Sequence, residues 1–288
     1  MIAMSPDRQP YELAFVLGGG GVLGAHEVGM LRALAEHAIV PDVVVGTSIG
    51  AVNGAFFAAD PTASGVERLT RLWLEANVAE RDAGTTLRRL TTLARTGTHL
   101  ESLHKVRAML AQALPVQRVE ELALPFQCVA ASIERAAEHW FDAGPLADVL
   151  LASCAVPGIL PPVAIGDQHF IDGGIVNSVP VSRAVALGAK RIYVLQVGRL
   201  ERPLRPPRRP WEVGLVAFEI ARRHRFAEDL TSLPPGVDLH VMPTGGSSAP
   251  AYGDVSAQLR VKRLARTVQR QIDAAHEASM QYLDDRAA

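Results

Sequence analysis

Cysteine is nearly missing from this chain of 288 residues, which has only Cys128 and Cys154. Both lie in apolar sequence, where a thiol behaves as a small core residue, so a reducing compartment is expected. Metal-ligand spacing is missing too. No two of the histidines and cysteines sit at ligand spacing with a third nearby, so neither a metal nor a cofactor is expected. Excess charge of either sign is also lacking. Lys+Arg 29 against Asp+Glu 30 gives a formal net charge of −1, which argues against nucleic acid as a general partner. No uninterrupted apolar run is long enough to span a bilayer, and Met1-Ile2-Ala3-Met4-Ser5-Pro6-Asp7-Arg8 holds no apolar signal region. A cytoplasmic location is the resulting expectation, and no internal repeat is visible.

What the chain does have is apolar residues in quantity. At 48% hydrophobic and 20% charged, it can bury a sizeable core as one α/β domain over residues 1–288. Periodicity predicts strand 12–17, helix 23–37, strand 42–46, helix 49–59 and a helical stretch over 64–113. Strands near 125–133 and 138–142 follow, then a helix near 145–153, strands around 163–171, helix 180–187 and strand 191–197. Helices near 211–230 and 254–284 flank a strand near 237–242. Strands alternating with helices imply a mainly parallel central sheet covered on both faces, a three-layer α/β/α architecture. Chemistry-bearing sequence falls in about 12–200, with C-terminal helices over 211–285 packed on it.

The segment Gly46-Thr47-Ser48-Ile49-Gly50 follows the apolar run Asp42-Val43-Val44-Val45 and precedes the small-residue run Ala51-Val52-Asn53-Gly54-Ala55. That is a strand, a cramped turn and a helix with a serine at the apex. A serine hydroxyl is a poor nucleophile unless it is held exposed, beside a base, and near donors for an oxyanion. Gly46 and Gly50 permit the tight turn that pushes the Ser48 oxygen out of the sheet. Alone, the pattern also fits an ordinary βα turn.

Upstream, Glu12-Leu13-Ala14-Phe15-Val16-Leu17 runs into Gly18-Gly19-Gly20-Gly21-Val22-Leu23-Gly24, and Val28, Leu31, Leu34 and Ala35 then give helical spacing. Backbone N–H groups point outward where a glycine-rich bend opens a helix. Gly19, Gly21 and Gly24 satisfy a dinucleotide fingerprint, but that chemistry needs an acidic residue at the end of the second strand, and this one delivers Ser48. The other use is an oxyanion hole near Gly20 and Gly21, on the same carboxyl edge of the sheet as Ser48. Farther on, Phe170-Ile171-Asp172-Gly173-Gly174 presents a carboxylate at a strand end, though taken alone its Asp-Gly dipeptide reads as a plain β-turn.

Taken together, GGGxxG, GxSxG and DGG in this order resemble the patatin-like phospholipase family, and Ala152-Ser153-Cys154-Ala155-Val156-Pro157-Gly158 through Val163 resembles the segment leading into that family's aspartate. The likeness runs from about Leu13 to Leu195. It implies Ser48 as nucleophile, Asp172 as base of a two-residue dyad, and Gly19, Gly20 and Gly21 around the oxyanion hole, supported by Gly24, Gly46, Gly50, Gly173 and Gly174. The implied activity is a serine acyl hydrolase of lipid esters, of the phospholipase A or lysophospholipase type. Leu23 departs from the pattern, because the family often has a basic residue just before the last glycine of the first motif.

Three alternatives remain open on sequence grounds. An α/β-hydrolase triad would need a histidine after Asp172; the candidates are His224, His276 and His240. His224 reads as part of a charged helical face, Arg222-Arg223-His224-Arg225, and His240 as a half-exposed residue opposite Val237, Leu239 and Val241. His26 opens the helix after the glycine bend and reads as solvated or locally hydrogen-bonded, with no role assigned to it. A catalytically weak scaffold that binds lipid or protein is the second alternative, raised by Leu23; nicotinamide binding is the third. Residues 64–113, with Trp73 and a row of leucines, fit either a cap over a lipid chain or packing on the sheet. Arg199, Arg202, Arg205, Arg208 and Arg209 among prolines, running into Trp211, read as a solvated loop or as a peripheral contact with anionic headgroups. Val261, Leu264, Val268, Ile272, Ala275 and Leu283 form one stripe of the last helix, read as core.

Overall fold

A computed structural model of the chain describes residues 11–79, 103–197, 203–204, 206–208, 210–245 and 264–287. The opening strand β1 (Leu13–Leu17) leads through a 3-10 turn over Gly21–Gly24 into α1 (Ala25–Glu36). Next come β2 (Val43–Thr47), α2 (Ile49–Ala59), α3 (Ala63–Ala79) and α4 (Leu103–Ala113). Then follow β3 (Phe126–Ser132), β4 (Ala137–Phe141), α5 (Leu146–Ser153), β5 (Val163–Ile165) and β6 (Gln168–Asp172). The chain continues with α6 (Val181–Ala186), β7 (Arg191–Leu195), α7 (Pro210–Thr231), β8 (Asp238–Val241) and α8 (Leu264–Ala287).

One 8-stranded sheet runs in the order β5-β6-β3-β2-β1-β7-β8, with β4 paired to β3. From β3 to β8 every neighbouring pair is parallel, whereas β4, β5 and β6 are antiparallel additions at one side. The two faces of β1 show why this is a three-layer fold. Phe15 and Leu17 point into one apolar cluster with α1, α2, α5 and α8, while Ala14 and Val16 point into a second one with Val181 and Ala184 of α6 and Phe226 of α7. A strand covered on both faces is built mainly from apolar residues, as β1 and the Val43–Val45 run of β2 are.

Register brings the site together. Residues 128 and 129 of β3 pair with both β2 and β4, so those two strands lie on opposite edges of β3. Ala130 pairs with both β4 and Asp172, which puts β6 on the same edge as β2. Parallel β2 and antiparallel β6 therefore meet tip to tip along β3, with Thr47 opposite Val129 and Asp172 opposite Ala130. Residues 48 and 172 become neighbours by topology alone.

The described part of 64–113 packs rather than gapes: Val66 and Leu69 of α3 and Leu110 of α4 belong to the core. Residues 80–102, the rest of the expected cap, lie outside the described residues, as do most of 199–209 and the side chain of Trp211. On α8, Val268, Ile272, Ala275 and Leu283 are buried as the stripe predicted; Val261 and the side chain of Leu264 lie outside the described residues. Among the described residues, no helix is long and apolar enough to cross a membrane.

The β2–α2 turn depends on close backbone approach. A Cβ added at Gly50 would sit 2.5 Å from the Leu17 carbonyl carbon, and one at Gly46 would sit 2.6 Å from Ala51 Cα. Backbone cannot yield to such overlap, so Gly50→Ala is expected to lower unfolding free energy by about 3 kcal/mol or more. By contrast a methyl group at exposed Gly214 of α7 meets nothing within 4 Å. Gly214→Ala is expected to stabilise by roughly 0.5–1 kcal/mol, and urea unfolding of the two variants checks both.

Candidate active site

Ser48 occupies the N-terminal boundary of α2 with φ 54° and ψ −125°, a backbone state that side chains with a Cβ rarely adopt. Strain of this kind costs on the order of 1–3 kcal/mol and persists only where surroundings over-determine it. Here they do. The Ser48 N–H donates to Ser153 Oγ at 2.9 Å, and Ser153 Oγ donates in turn to the Val129 carbonyl at 2.7 Å. Ser153 ends α5 and is fully buried. It thus ties the apex of the turn to β3 through two hydrogen bonds.

The hydroxyl of Ser48 donates to Asp172 Oδ2 at 2.7 Å. The other carboxylate oxygen, Oδ1, accepts the Gly174 N–H at 2.7 Å, so a short 3-10 turn over Gly173–Ile175 orients the acid. Asp172 is 1% exposed, and burial raises its pKa from 3.8 to about 6, against lowering by Ser48, by the Gly174 amide and by the charge of Arg222. A thiol completes the wall: Cys154 lies against Ser48 and Asp172, and burial pushes its pKa well up, so it stays protonated.

The glycine turn borders this pair. A Cβ on Gly19 would lie 3.5 Å from Ser48 Cβ. The Gly19 N–H is already donated to the Ser178 carbonyl at 2.8 Å, and the Gly20 carbonyl accepts the Leu23 N–H at 3.1 Å. Gly19 is therefore a wall of the site with its amide spent, leaving the amides of Gly20 and Gly21 as the loop's candidate donors. Leu23 is buried, as is His26, which bonds the Leu23 carbonyl through Nδ1 at 2.9 Å and so is locally bonded rather than solvated.

No histidine that follows Asp172 in sequence approaches the pair. His224 is exposed and faces Glu228, and His276 bonds Glu36. His240 is more buried than its strand alternation predicts, at 8% exposed. Its ring stacks on Tyr193 at 4.6 Å and its nitrogens meet Asp238 and Tyr282. Two sequence readings thus need correction: His240 is buried rather than half-exposed, and the Arg222-Arg223-His224-Arg225 segment is not uniformly a solvated face. Arg222 is 3% exposed and donates to the carbonyls of Gly19 and Val197, at 3.1 Å each. Neither Arg222 nor Ser153 carried a sequence signal of its own. Among the described residues no cluster of three or more His, Cys, Asp or Glu could hold a metal ion.

A parallel-sheet α/β protein with a serine on a strand–turn–helix apex, bonded to a buried aspartate, defines the structural class. The family model described as patatin-like phospholipase matches residues 15–185, and the chain belongs to that family. Patatin-like phospholipase domain-containing protein 7 of Rattus norvegicus is 32% identical over 188 residues, 65% of this chain and 14% of the relative. Protein 6 of the same description from Homo sapiens is 33% identical over 189 residues, 65% of this chain and 13% of the relative. Lysophospholipase NTE1 of Eremothecium gossypii is 30% identical over 193 residues, 66% and 12%. The match thus spans 14% or less of these relatives' own length. Among solved structures, VipD from Legionella pneumophila superposes with a TM-score of 0.46 at 13% identity, covering 96% of this chain and 67% of that one.

Burial of Asp172 carries a stability consequence. Because its folded-state pKa is raised from 3.8 to about 6, the protonated acid favours folding below about pH 4, and that advantage fades as pH rises through 6. Asp172→Asn keeps an acceptor for Gly174 and removes the buried charge. It is expected to raise unfolding free energy by about 1–3 kcal/mol at pH 8 and by little at pH 4. Thermal melts at the two pH values check this.

Proposed function

We propose that the chain is a serine acyl hydrolase of lipid carboxylic esters, of the phospholipase A or lysophospholipase type, acting through a Ser48–Asp172 dyad and an acyl-enzyme. The observation that carries the reading is the 2.7 Å hydrogen bond from Ser48 Oγ to a buried carboxylate whose pKa is raised to about 6. An ordinary surface aspartate, with a pKa of about 3.9, is too weak a base for an alcohol. Desolvation narrows that gap and leaves the acid still ionised at neutral pH.

In this mechanism Asp172 takes the Ser48 proton as the oxygen attacks the ester carbonyl. Charge on the ester oxygen is met by the N–H groups of Gly20 and Gly21, fixed in advance by the bonds of the glycine turn. Collapse of the tetrahedral adduct breaks the ester bond, with the Asp172 proton passing to the leaving alcohol. Water then enters, gives a proton to Asp172 and attacks the acyl-serine. Collapse of that adduct releases the fatty acid as Asp172 returns the proton to Ser48. Gly19 and Ser178 form the wall, and Ser153 keeps the strained serine in place. The lipid assignment comes from the family and from relatives named phospholipase and lysophospholipase. We place the protein in the cytoplasm, touching membranes peripherally.

Three outcomes are expected with short-chain esters and lysophospholipids. Ser48→Ala abolishes both turnover and labelling by a fluorophosphonate probe. Asp172→Asn lowers kcat by about 10³-fold or more while the protein remains folded, since members of such a unit fail together. For the wild type, kcat/KM falls below about pH 6 as Asp172 takes up a proton and ceases to be a base. A folded wild type that neither labels nor turns over any ester, yet binds lipid vesicles, would instead favour the scaffold reading.

A further inference from the structure

Position 23 leaves the glycine turn without a cation of its own, and the structure brings one from far away in sequence. Arg222, in the middle of α7, is 3% exposed beneath that turn. Its Nη1 donates to the Gly19 carbonyl and its Nη2 to the Val197 carbonyl, so one planar guanidinium ties the glycine turn to the segment after β7. Gly20 fits into the same junction, because a Cβ there would collide with Val197 Cγ2.

The peptide bond between Gly19 and Gly20 is trans, so its C=O and N–H point in opposite directions. Arg222 holds the oxygen end. Together with the Gly19 N–H bond to Ser178, this fixes both peptide groups of Gly19, immediately beside Ser48. A positive charge on a carbonyl oxygen also draws electrons along the amide, making the N–H at its other end a better donor.

We propose that Arg222 is a positioning residue for ester hydrolysis: by clamping the Gly19 and Val197 carbonyls it presents the Gly20 N–H to the oxyanion, and it supplies from α7 the charge that Leu23 does not. The role rests on the dyad hydrolase reading given above. Arg222 acts through Gly20 and does not itself touch the substrate. Its charge is shared. Glu219 of the same helix lies 3.8 Å from Nη1 and also pairs with Arg223. Arg222 in addition lowers the proton affinity of buried Glu27 on α1 and of Asp172, which further faces Ser48 and Cys154. Removing it therefore weakens the donor and strengthens the proton affinity of the base.

The test uses the full chain with a soluble short-chain p-nitrophenyl ester, comparing wild type, Arg222→Met and Arg222→Lys. Arg222→Met is expected to lower kcat by roughly 10- to 100-fold, with KM changed less than about twofold and the acidic limb of the pH profile moved to higher pH. Arg222→Lys keeps a charge but not the fork that spans two carbonyls, so the acidic limb should return while kcat stays at least about fivefold low. A folded Arg222→Met with kcat within about twofold of wild type and an unmoved limb overturns the role, and so does a loss confined to KM. Should Arg222→Met fail to fold by circular dichroism, Arg222→Lys decides alone, with wild-type kcat overturning the clamp. A wild type that turns over no ester and takes no fluorophosphonate at Ser48 removes the hydrolase reading and this role together. Turnover by wild type beside an indifferent Arg222→Met removes this role only.

Discussion

The contact between Ser48 and Asp172 joins residues 124 apart in sequence, and it exists because two strands stop at the same place on the edge of a third. β2 comes up one half of β3 and β6 comes down the other. Each strand tip delivers one functional side chain, and the 2.7 Å hydrogen bond closes the gap. Everything else near the site serves that meeting. Ser153 pins the serine's amide to β3, Gly174 pins the free carboxylate oxygen, and the absence of side chains at Gly46 and Gly50 lets α2 start without displacing β1. A shift of one residue in β3 pairing would separate the two groups and turn inward-facing side chains outward.

The electrostatics follow from the same burial. An ionised aspartate at 1% exposure is unfavourable, and the protein offsets the cost only partly, with a serine hydroxyl, one amide and a nearby arginine. Fuller compensation would return the carboxylate to its ordinary acidity and make it useless as a base. Without Arg222 the acid would hold its proton more tightly and be neutral over more of the physiological range. The site is thus balanced between two failures, and residues from β6, α2 and α7 set the balance jointly.

Much of this was legible in the sequence, for physical reasons that differ by element. Helix 49–59 was legible at its observed bounds because a glycine-flanked apex starts it and a run of small and apolar residues carries it on. β1 and β2 were legible as continuous apolar runs, the mark of strands covered on both faces. The antiparallel pairing of β4, β5 and β6 was not, since alternation records which face a residue takes and not which neighbour its strand pairs with. Nor was the burial of His240, whose place on the outer strand β8 is covered by Tyr282 of α8, a contact between distant segments. Arg222 was hidden most completely. It stands among Arg223, His224 and Arg225, and only the rotation of α7 about its axis decides which of the four turns inward. It also falls beyond residues 15–185, the part the family shares.

The backbone at position 48 has a bearing on how such a fold can diversify. With φ at 54°, a residue branched at Cβ is more strained there than serine, so threonine is disfavoured as an alternative nucleophile although its hydroxyl has the same chemistry. Selection for new substrates would accordingly leave the attacking atom alone and work on the walls around it.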